Sequence, residues 1–337
     1  MRIFVVEYIT GGGLIGQEWP PGIGVEAQLM VDALLRDLAD LPGIELLVSR
    51  DPRLAAPAVD CPVFEPRADQ DIWDQWAACI HSCDAVWPIM PETGGLLHRV
   101  GELVESAGRV LLSSHPEAVA IAGSKRHTAQ RLDVAGIDVV ATFDSPDDMP
   151  ETGARWIIKP DDGVGCEGLR IFASPAGLRH YFAGCDRTSR PVVQPFIEGE
   201  PLSLSLLCRH GEASVLCVNA QQFLENDGRL HLCAIRVNID LASEEERFTR
   251  LATAIARALP GLWGYVGVDV IHTRDDRLLV VEINPRLTTS YVALRTAVRQ
   301  NVAALVLSLL DPGTPLPVCE RLRTVTVALS EDLAHVA

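Results

Sequence analysis

The sequence predicts an α/β protein in which a parallel-sheet lobe leads into mixed α+β lobes built on antiparallel strands. Three observations carry this. Residues 1–115 alternate short apolar runs with amphipathic stretches, the pattern of parallel strands and their covering helices. Further on, the runs 202–209 and 213–223 follow one another across a short polar turn, as an antiparallel pair does. Near the end, 264–273 and 277–285 form a hairpin around Arg274-Asp275-Asp276, and acid and amide side chains interrupt its Val/Ile/Leu pattern.

At 337 residues the chain exceeds the ~250–300 residues at which single cores stop growing. Three lobes are expected, at 1–118, 119–190 and 191–337. A composition of 48% hydrophobic and 22% charged residues is ordinary for a globular protein. The net charge of −16 argues against a nucleic-acid binder, which needs a basic face. It leaves room for a local basic pocket that takes a small anion. The first apolar run, Ile3-Phe-Val-Val, is broken at Glu7, unlike a signal peptide. No apolar segment reaches the ~18–20 residues that span a membrane. Nine cysteines without a secretory signal fit reduced thiols, so a cytoplasmic location is expected. Cys79 and Cys83 share a helical face, but two soft ligands do not make a zinc site, and core packing is expected of them.

Residues 2–8 read as a buried first strand. The stretch after it, Gly11-Gly-Gly-Leu-Ile-Gly16, formally matches Gly-x-Gly-x-x-Gly, a dinucleotide fingerprint only where a helix opens on the last glycine. Here the chain continues through Gln17-Glu-Trp-Pro-Pro-Gly-Ile-Gly24, and the helix begins near Val25 with Leu29, Ala33, Leu34 and Leu38 inward. The glycines therefore read as a mobile, substrate-facing loop. Strand 44–49, a helix near 70–82, strand 84–90, helix 95–107 and strand 109–113 complete the alternation. Ligands of parallel sheets sit beyond the carboxyl ends of the strands. Glu7 to Gly13 and Glu92 to Gly94 stand at such ends, making this lobe a substrate shelf.

Near residue 120 the character changes. Ser124-Lys125 opens a helix that stops at Gly136, followed by strand 137–143 and a Pro/Asp-rich loop at 145–153. Trp156-Ile-Ile-Lys159 is a buried strand leading into Gly163-Val-Gly165-Cys-Glu-Gly168 and strand 169–173. Strand 191–197 carries Gln194, Phe196 and Ile197 and ends in Glu198-Gly-Glu200-Pro. After the long pair, Arg236 lies on a later strand, helix 244–259 precedes the acidic hairpin, and helix 290–310 covers it. No internal repeat is present.

Glu282 and Asn284 are two apart and share one face of their strand, and the hairpin brings Asp269 alongside them. Three oxygen donors on one patch suit a hard cation such as Mg²⁺ or Mn²⁺, which takes few protein carboxylates together with phosphates. A solvated hairpin is the alternative, since Asp and Glu usually face water. Glu282 nevertheless interrupts Leu-Leu-Val-Val-Glu-Ile, where an unpartnered carboxylate is costly. Lys159 inside a buried strand needs an anion in the same way. The glycines after it offer bare N–H groups to phosphate oxygens, although a plain hairpin with a snorkelling lysine stays open. This is not the Walker arrangement, because the lysine precedes the glycines. Lys125 by itself is most often a solvated cation at a helix start.

The pattern Asp269…Glu282-Ile-Asn284-Pro-Arg286, with thirteen residues from the first acid to the second, resembles the metal-binding end of the ATP-grasp ligases. With the two lysines and the glycine turn, the resemblance extends over nearly the whole chain. It implies the ATP-grasp fold, an N-terminal α/β lobe followed by two α+β lobes that clasp a nucleotide. It further implies ATP and Mg²⁺ (or Mn²⁺) as cofactors, with Lys125 and Lys159 on the phosphates and Gly163 and Gly165 in a lid. Gln194-Pro-Phe196-Ile197 would hold adenine, and Glu200 the ribose, with Glu198 competing for that role. Asp269, Glu282 and Asn284 match the metal ligands, and Arg286, catalytic together with Lys159, faces the transferred phosphoryl group. The implied reaction converts a carboxylate to an acyl phosphate that an amine then attacks.

Three segments are also similar to the tyramine–glutamate ligases, which join glutamate to an arylethylamine in methanofuran-type cofactor synthesis. They are Val-Glu7-Tyr-Ile-Thr10-Gly-Gly-Gly13, Pro91-Glu92-Thr93 and Glu-Ile-Asn-Pro-Arg-Leu-Thr-Thr-Ser290-Tyr291. That likeness puts Glu7, Thr10, Glu92 and Ser290 at the substrates, with Glu7 and Glu92 for the ammonium group and Tyr8 or Trp87 for the ring. Glu7 could equally serve only to order the glycine loop. The rival readings are another ATP-grasp enzyme (an amino-acid ligase or small-molecule kinase) and a non-catalytic ATP sensor. The implied partners are a small carboxylate and a small amine, with neither nucleic acid nor membrane. A homodimer is left open.

Overall fold

The computed structural model describes residues 1–19, 23–150, 155–185, 191–241, 244–319 and 323–329. Residues 20–22 of the proline-containing stretch and 151–153 of the expected loop lie outside the described residues. The N-terminal lobe runs β1 (Arg2–Glu7), α1 (Ile23–Ala39), β2 (Glu45–Ser49), β3 (Val63–Phe64), α2 (Ile72–His81), β4 (Ala85–Ile89), α3 (Leu96–Ser106) and β5 (Val110–Leu111). Its sheet is parallel, in the order β3-β2-β1-β4-β5, as the alternation predicts. The last glycine of 11–16 opens no helix. Residues Ile9–Gly13 instead form a wide turn in which Gly12 takes φ 98°. The buried side of α1 is Ala27, Met30, Val31, Leu34, Leu35 and Leu38. Leu34 and Leu38 face inward as expected, whereas Leu29 and Ala33 are only half-buried. The shift arises because α1 is covered by a second layer of helices as well as by its own sheet.

Two helices lead out of this lobe, α4 (Pro116–Ala122), with proline in its first turn, and α5 (Lys125–Val134). Ser124 Oγ caps α5 by accepting from His127 N at 3.2 Å, and Gly136 ends the turn beyond it at φ 72°. The expected strand 137–143 is not a strand. It is an extended connector whose hydrogen bonds go to two different sheets, Val139 bridging Val280 and Phe143 bridging Val193. Its apolar residues look like one strand because they are buried at both ends, in two lobes.

The small lobe is β6 (Trp156–Pro160), β7 (Arg170–Phe172), α6 (Pro175–Ala183) and β8 (Pro191–Pro195), an antiparallel sheet in the order β7-β6-β8. Met149, Trp156, Leu178 and Val193 form its own core. The large lobe follows with β9 (Gly199–Arg209), β10 (Glu212–Asn226), β11 (Arg229–Val237), α7 (Glu245–Ala258), β12 (Gly264–Thr273), β13 (Leu278–Asn284), α8 (Tyr291–Val298), α9 (Val302–Ser308) and β14 (Val325–Ala328). Its sheet order is β13-β12-β9-β10-β11-β14.

The single helix expected over 290–310 is two. Arg299 turns left-handed at φ 50°, and Asn301 Oδ1 accepts from Ala304 N at 3.0 Å to start α9 afresh. One continuous core joins the outer lobes, from Ile3, Val5 and Leu34 to Leu207, Tyr291 and Val306. Tyr291 OH reinforces it by donating to Asp37 Oδ2 at 2.8 Å. Among the described residues no cysteine forms a disulfide, and Cys79 and Cys83 are buried as expected. Among the described residues no helix is long and apolar enough to cross a membrane.

Candidate active site

The acidic hairpin pairs Asp269 with Glu282 and Gly267 with Asn284, so the three oxygen-bearing side chains converge as their spacing predicts. Asn284 Nδ2 donates to Asp269 Oδ2 at 3.3 Å, and Gln221 Nε2, from β10, donates to Asp269 Oδ1 at 3.1 Å. Burial, followed by the charge of Glu282, pushes the Asp269 carboxyl well above its usual range. Burial opposes ionisation of Glu282 as well, yet Lys125, Lys159 and Arg286 bring it below its ordinary value. Two adjacent carboxylates, one of them resisting ionisation, together with an amide oxygen fit a divalent cation, whose charge relieves their repulsion. Glu244, His272 and Asp276 also lie close to one another. Arg247 already pairs with Asp276 at 2.6 Å and with Glu244 at 3.3 Å there, so that group is neutralised.

Lys125 and Lys159 reach the same place from two elements. Lys125 Nζ lies 3.6 Å from Glu282 Oε2 and donates to the carbonyl of Gly163 at 2.5 Å. Lys159, only 8% exposed, is pushed down to about 8, chiefly by burial and partly offset by Glu282. That shift corresponds to roughly 3 kcal/mol against its charged form, which a phosphate partner would relieve. Both lysines line a cavity of about 340 Å³ between the small and large lobes, with Asp269 and Glu282 at its polar end. Phe196, Ile197, Val270 and Ile271 are among its apolar walls, and Gly163 of the lid also lines it. The Gln194 side chain is buried in the same wall and donates Nε2 to Thr142 Oγ1 at 2.8 Å. Arg155 stacks over Phe196 at 4.1 Å.

Two expected cavity residues stand apart from the lining. Gly199 and Pro201 face the cavity, so strand alternation turns Glu200 to the opposite face, where it is exposed, as is Glu198. Gly165, at φ 61°, forms the outer bend of the lid. Glu225 of β10, paired with Arg155, is the carboxylate that lines this part of the cavity.

On the N-terminal side, Glu7 Oε2 accepts from Thr10 N at 2.6 Å and from Thr10 Oγ1 at 2.8 Å. That contact orders the glycine turn, one of the two roles open to Glu7, and burial pushes the Glu7 carboxyl up. Glu92 accepts from Arg286 Nε at 3.1 Å and lies 3.0 Å from its Nη2. Arg286 is thereby drawn toward the substrate shelf while still acting electrostatically on Glu282. Ser290 is buried in a hydroxyl cluster with Ser205, Tyr265 and Thr288, at 3.3, 3.0 and 2.9 Å, so its hydroxyl is committed to the interior. Trp87 points into the core, and Tyr8 is half-buried edge-on to Trp76.

Sequence reasoning missed Gln221, Glu225 and Asp161. Asp161 accepts from Ser124 Oγ at 2.7 Å and Arg126 N at 2.9 Å, tying the start of α5 to the root of the lid. The Pro160-Asp161-Asp162-Gly163 signature marks a turn, but nothing in it says which helix the turn caps. Gln221 and Glu225 share a face of β10 with Phe223, a pattern that reads equally as a solvated strand edge.

Residues 44–119 match the pre ATP-grasp 3 domain, and residues 122–290 the ATP-grasp domain. Tyramine–L-glutamate ligase of Methanocaldococcus fervens is 27% identical over 301 residues, covering 87% of this chain and 89% of that protein. The crystal structure of an ATP-grasp superfamily protein from Archaeoglobus fulgidus superposes with a TM-score of 0.73 at 23% identity, covering 97% of this chain and 92% of that one. Biotin carboxylase from Campylobacter jejuni, solved as a β-γ-ATP complex, gives a TM-score of 0.70 at 14% identity over 96% of this chain and 74% of its own. With both of its domains matched in order, and with Lys125, Lys159, Asp269 and Glu282 gathered at one cleft, the chain belongs to the ATP-grasp family.

Proposed function

We propose that the protein is an ATP-dependent carboxylate–amine ligase that joins the carboxylate of L-glutamate to tyramine or a closely related arylalkylamine, a step of methanofuran-type cofactor synthesis. The observation that carries the ligase reading is the meeting of Lys125, Lys159 and the Asp269/Glu282/Asn284 set at one end of a nucleotide-sized cavity. A carboxylate oxygen attacks the terminal phosphorus of ATP and ADP leaves, giving an acyl phosphate. The neutral amine then attacks the acyl carbon, phosphate leaves and a proton is released. The lysines and Arg286 neutralise charge on the transferred group, and the glycine lid keeps water from the intermediate. A divalent cation held by Asp269, Glu282 and Asn284 would supply further charge neutralisation at the phosphates.

The choice of substrates rests on the similarity to tyramine–L-glutamate ligase over most of both chains and on the carboxylates of the N-terminal lobe. Glu92 Oε1 is buried and has no hydrogen-bond partner among the described residues, which favours an ammonium donor beside it. Glu92 also borders a groove of about 530 Å³ that opens toward Ser124, Arg126 and Asp162. Glu7 and Thr10 shape the neighbouring turn. Incubation with ATP, Mg²⁺, glutamate and tyramine, followed by mass spectrometry for the amide and an assay for phosphate, tests the reading. Amide formed together with ADP and phosphate supports it. A phosphorylated small molecule without amide would point to a kinase, and no ADP with any acid–amine pair would point to a sensor.

A further inference from the structure

We propose that Asp162 is a positioning residue that couples the glycine-rich lid to the substrate-side turn of the N-terminal lobe. The proposal rests on the nucleotide-site reading above and goes beyond it. Asp162 stands immediately before the lid, between Asp161, which caps α5, and Gly163, whose carbonyl accepts from Lys125. Its own bonds leave the small lobe altogether. Thr93 Oγ1 donates to the Asp162 carbonyl at 2.7 Å, and Gly94 N donates to Asp162 Oδ2 at 2.9 Å. Gly94 and Gly95 hold left-handed φ values of 64° and 70° with open space around them. Backbone shape, rather than crowding, therefore demands glycine there, and that shape presents the Gly94 N–H to Asp162.

The residue before Thr93 is Glu92, which grips Arg286 at 3.0 Å. A continuous line of contacts thus runs from the lid through Asp162, Thr93 and Glu92 to the arginine beside the metal ligands. It crosses a lobe that takes no part in lining the nucleotide cavity. The Gly94 bond is solvent-exposed and the Thr93 bond only partly buried. Contacts of this kind break and re-form readily, as a coupling element requires. A nucleotide that orders the lid fixes Asp162 and so steadies the turn. By reciprocity, a ligand that steadies the turn favours the lid.

The Gly94 amide is its own reporter. Hydrogen exchange on the full-length protein, with and without MgADP, would be compared for wild type, Asp162→Ala and Thr93→Val. In wild type, saturating MgADP should slow exchange of the segment containing Gly94 by roughly fivefold to tenfold. Asp162→Ala should abolish that nucleotide dependence and Thr93→Val reduce it. By the same reciprocity Asp162→Ala should bind MgADP more weakly, by at most about the fivefold to tenfold seen in exchange, and Thr93→Val by less. With ATP, glutamate and tyramine, Asp162→Ala should lower kcat, with the KM for ATP rising by no more than the loss of MgADP affinity. MgADP binding without slower exchange at Gly94, or protection that survives in Asp162→Ala, overturns the coupling alone. Absence of MgADP binding to the wild type overturns the nucleotide-site reading and the coupling with it.

Discussion

Lys159 is a buried ammonium whose natural partner is an anion, and its chemistry gives the first prediction. Burial pushes it down to about 8 in the free protein, and contact with phosphate should move it back toward the ordinary lysine value. Binding that raises this pKa must take up a proton, so affinity is full below about pH 8 and declines as pH rises beyond it. In metal-free buffer, ADP titrated by calorimetry at about pH 7 and about pH 9.5 should bind more weakly at the higher pH, with proton uptake near pH 8. Equal affinity at both values and no proton uptake would remove Lys159 from the phosphates. Glu282 gives the second. Glu282→Gln keeps the shape but withdraws charge from the cation site, so turnover should fall by at least ~10²-fold. Adenosine binding, which depends on the apolar end of the cavity, should survive. Near wild-type turnover would release Glu282 from the metal role.

At the scale of elements, Asp161 links a turn to the first residues of α5. Asp161→Ala leaves Ser124 Oγ and Arg126 N without that acceptor, and should cost about 1–3 kcal/mol in denaturant melts. ATP affinity should fall with it, because Lys125 is the first residue of that helix. Unchanged ATP affinity in a destabilised variant would confine Asp161 to stability. The same residue shows where sequence reading stops. The convergence of Asp269, Glu282 and Asn284 was legible because Glu282 and Asn284 share one face of their strand and Asp269 sits across one short turn. Lys159 was legible as a charge in a place that needs a partner, whereas Lys125 read by itself as a solvated cation and was singled out only by the family resemblance. Asp161 capping α5, Glu92 gripping Arg286 and Gln221 donating to Asp269 depend on pairings between segments remote in sequence, which no local periodicity encodes. Two element assignments failed for related reasons. Residues 137–143 divide their hydrogen bonds between two sheets, and Asn301 begins a new helix inside an apolar run. Glu200 was singled out only by the family resemblance, and its neighbours Gly199 and Pro201 are the residues that take the cavity face.

Across the whole molecule, the small lobe is steadied by the tip of the β10–β11 hairpin. Ile171 N donates to the Gly228 carbonyl at 2.7 Å. Gly228 sits at φ 69°, and a Cβ there would come within 3.0 Å of the Ile171 carbonyl oxygen. Gly228→Val should therefore unseat the tip and weaken ATP binding by roughly tenfold, measured by calorimetry, with a more open molecule in X-ray scattering. Wild-type affinity and scattering would show the tip to be passive. The core shared by the outer lobes bears on how the protein is made. The parallel lobe leaves the ribosome before the large lobe, yet α1 shares its core with Tyr291, Leu294 and Val306, which are synthesised about 260 residues later. At about 5–20 residues per second the face of α1 waits on the order of tens of seconds for its cover. During that interval part of the apolar surface of α1 is bare, and the nascent chain is a natural client for a chaperone at the exit tunnel.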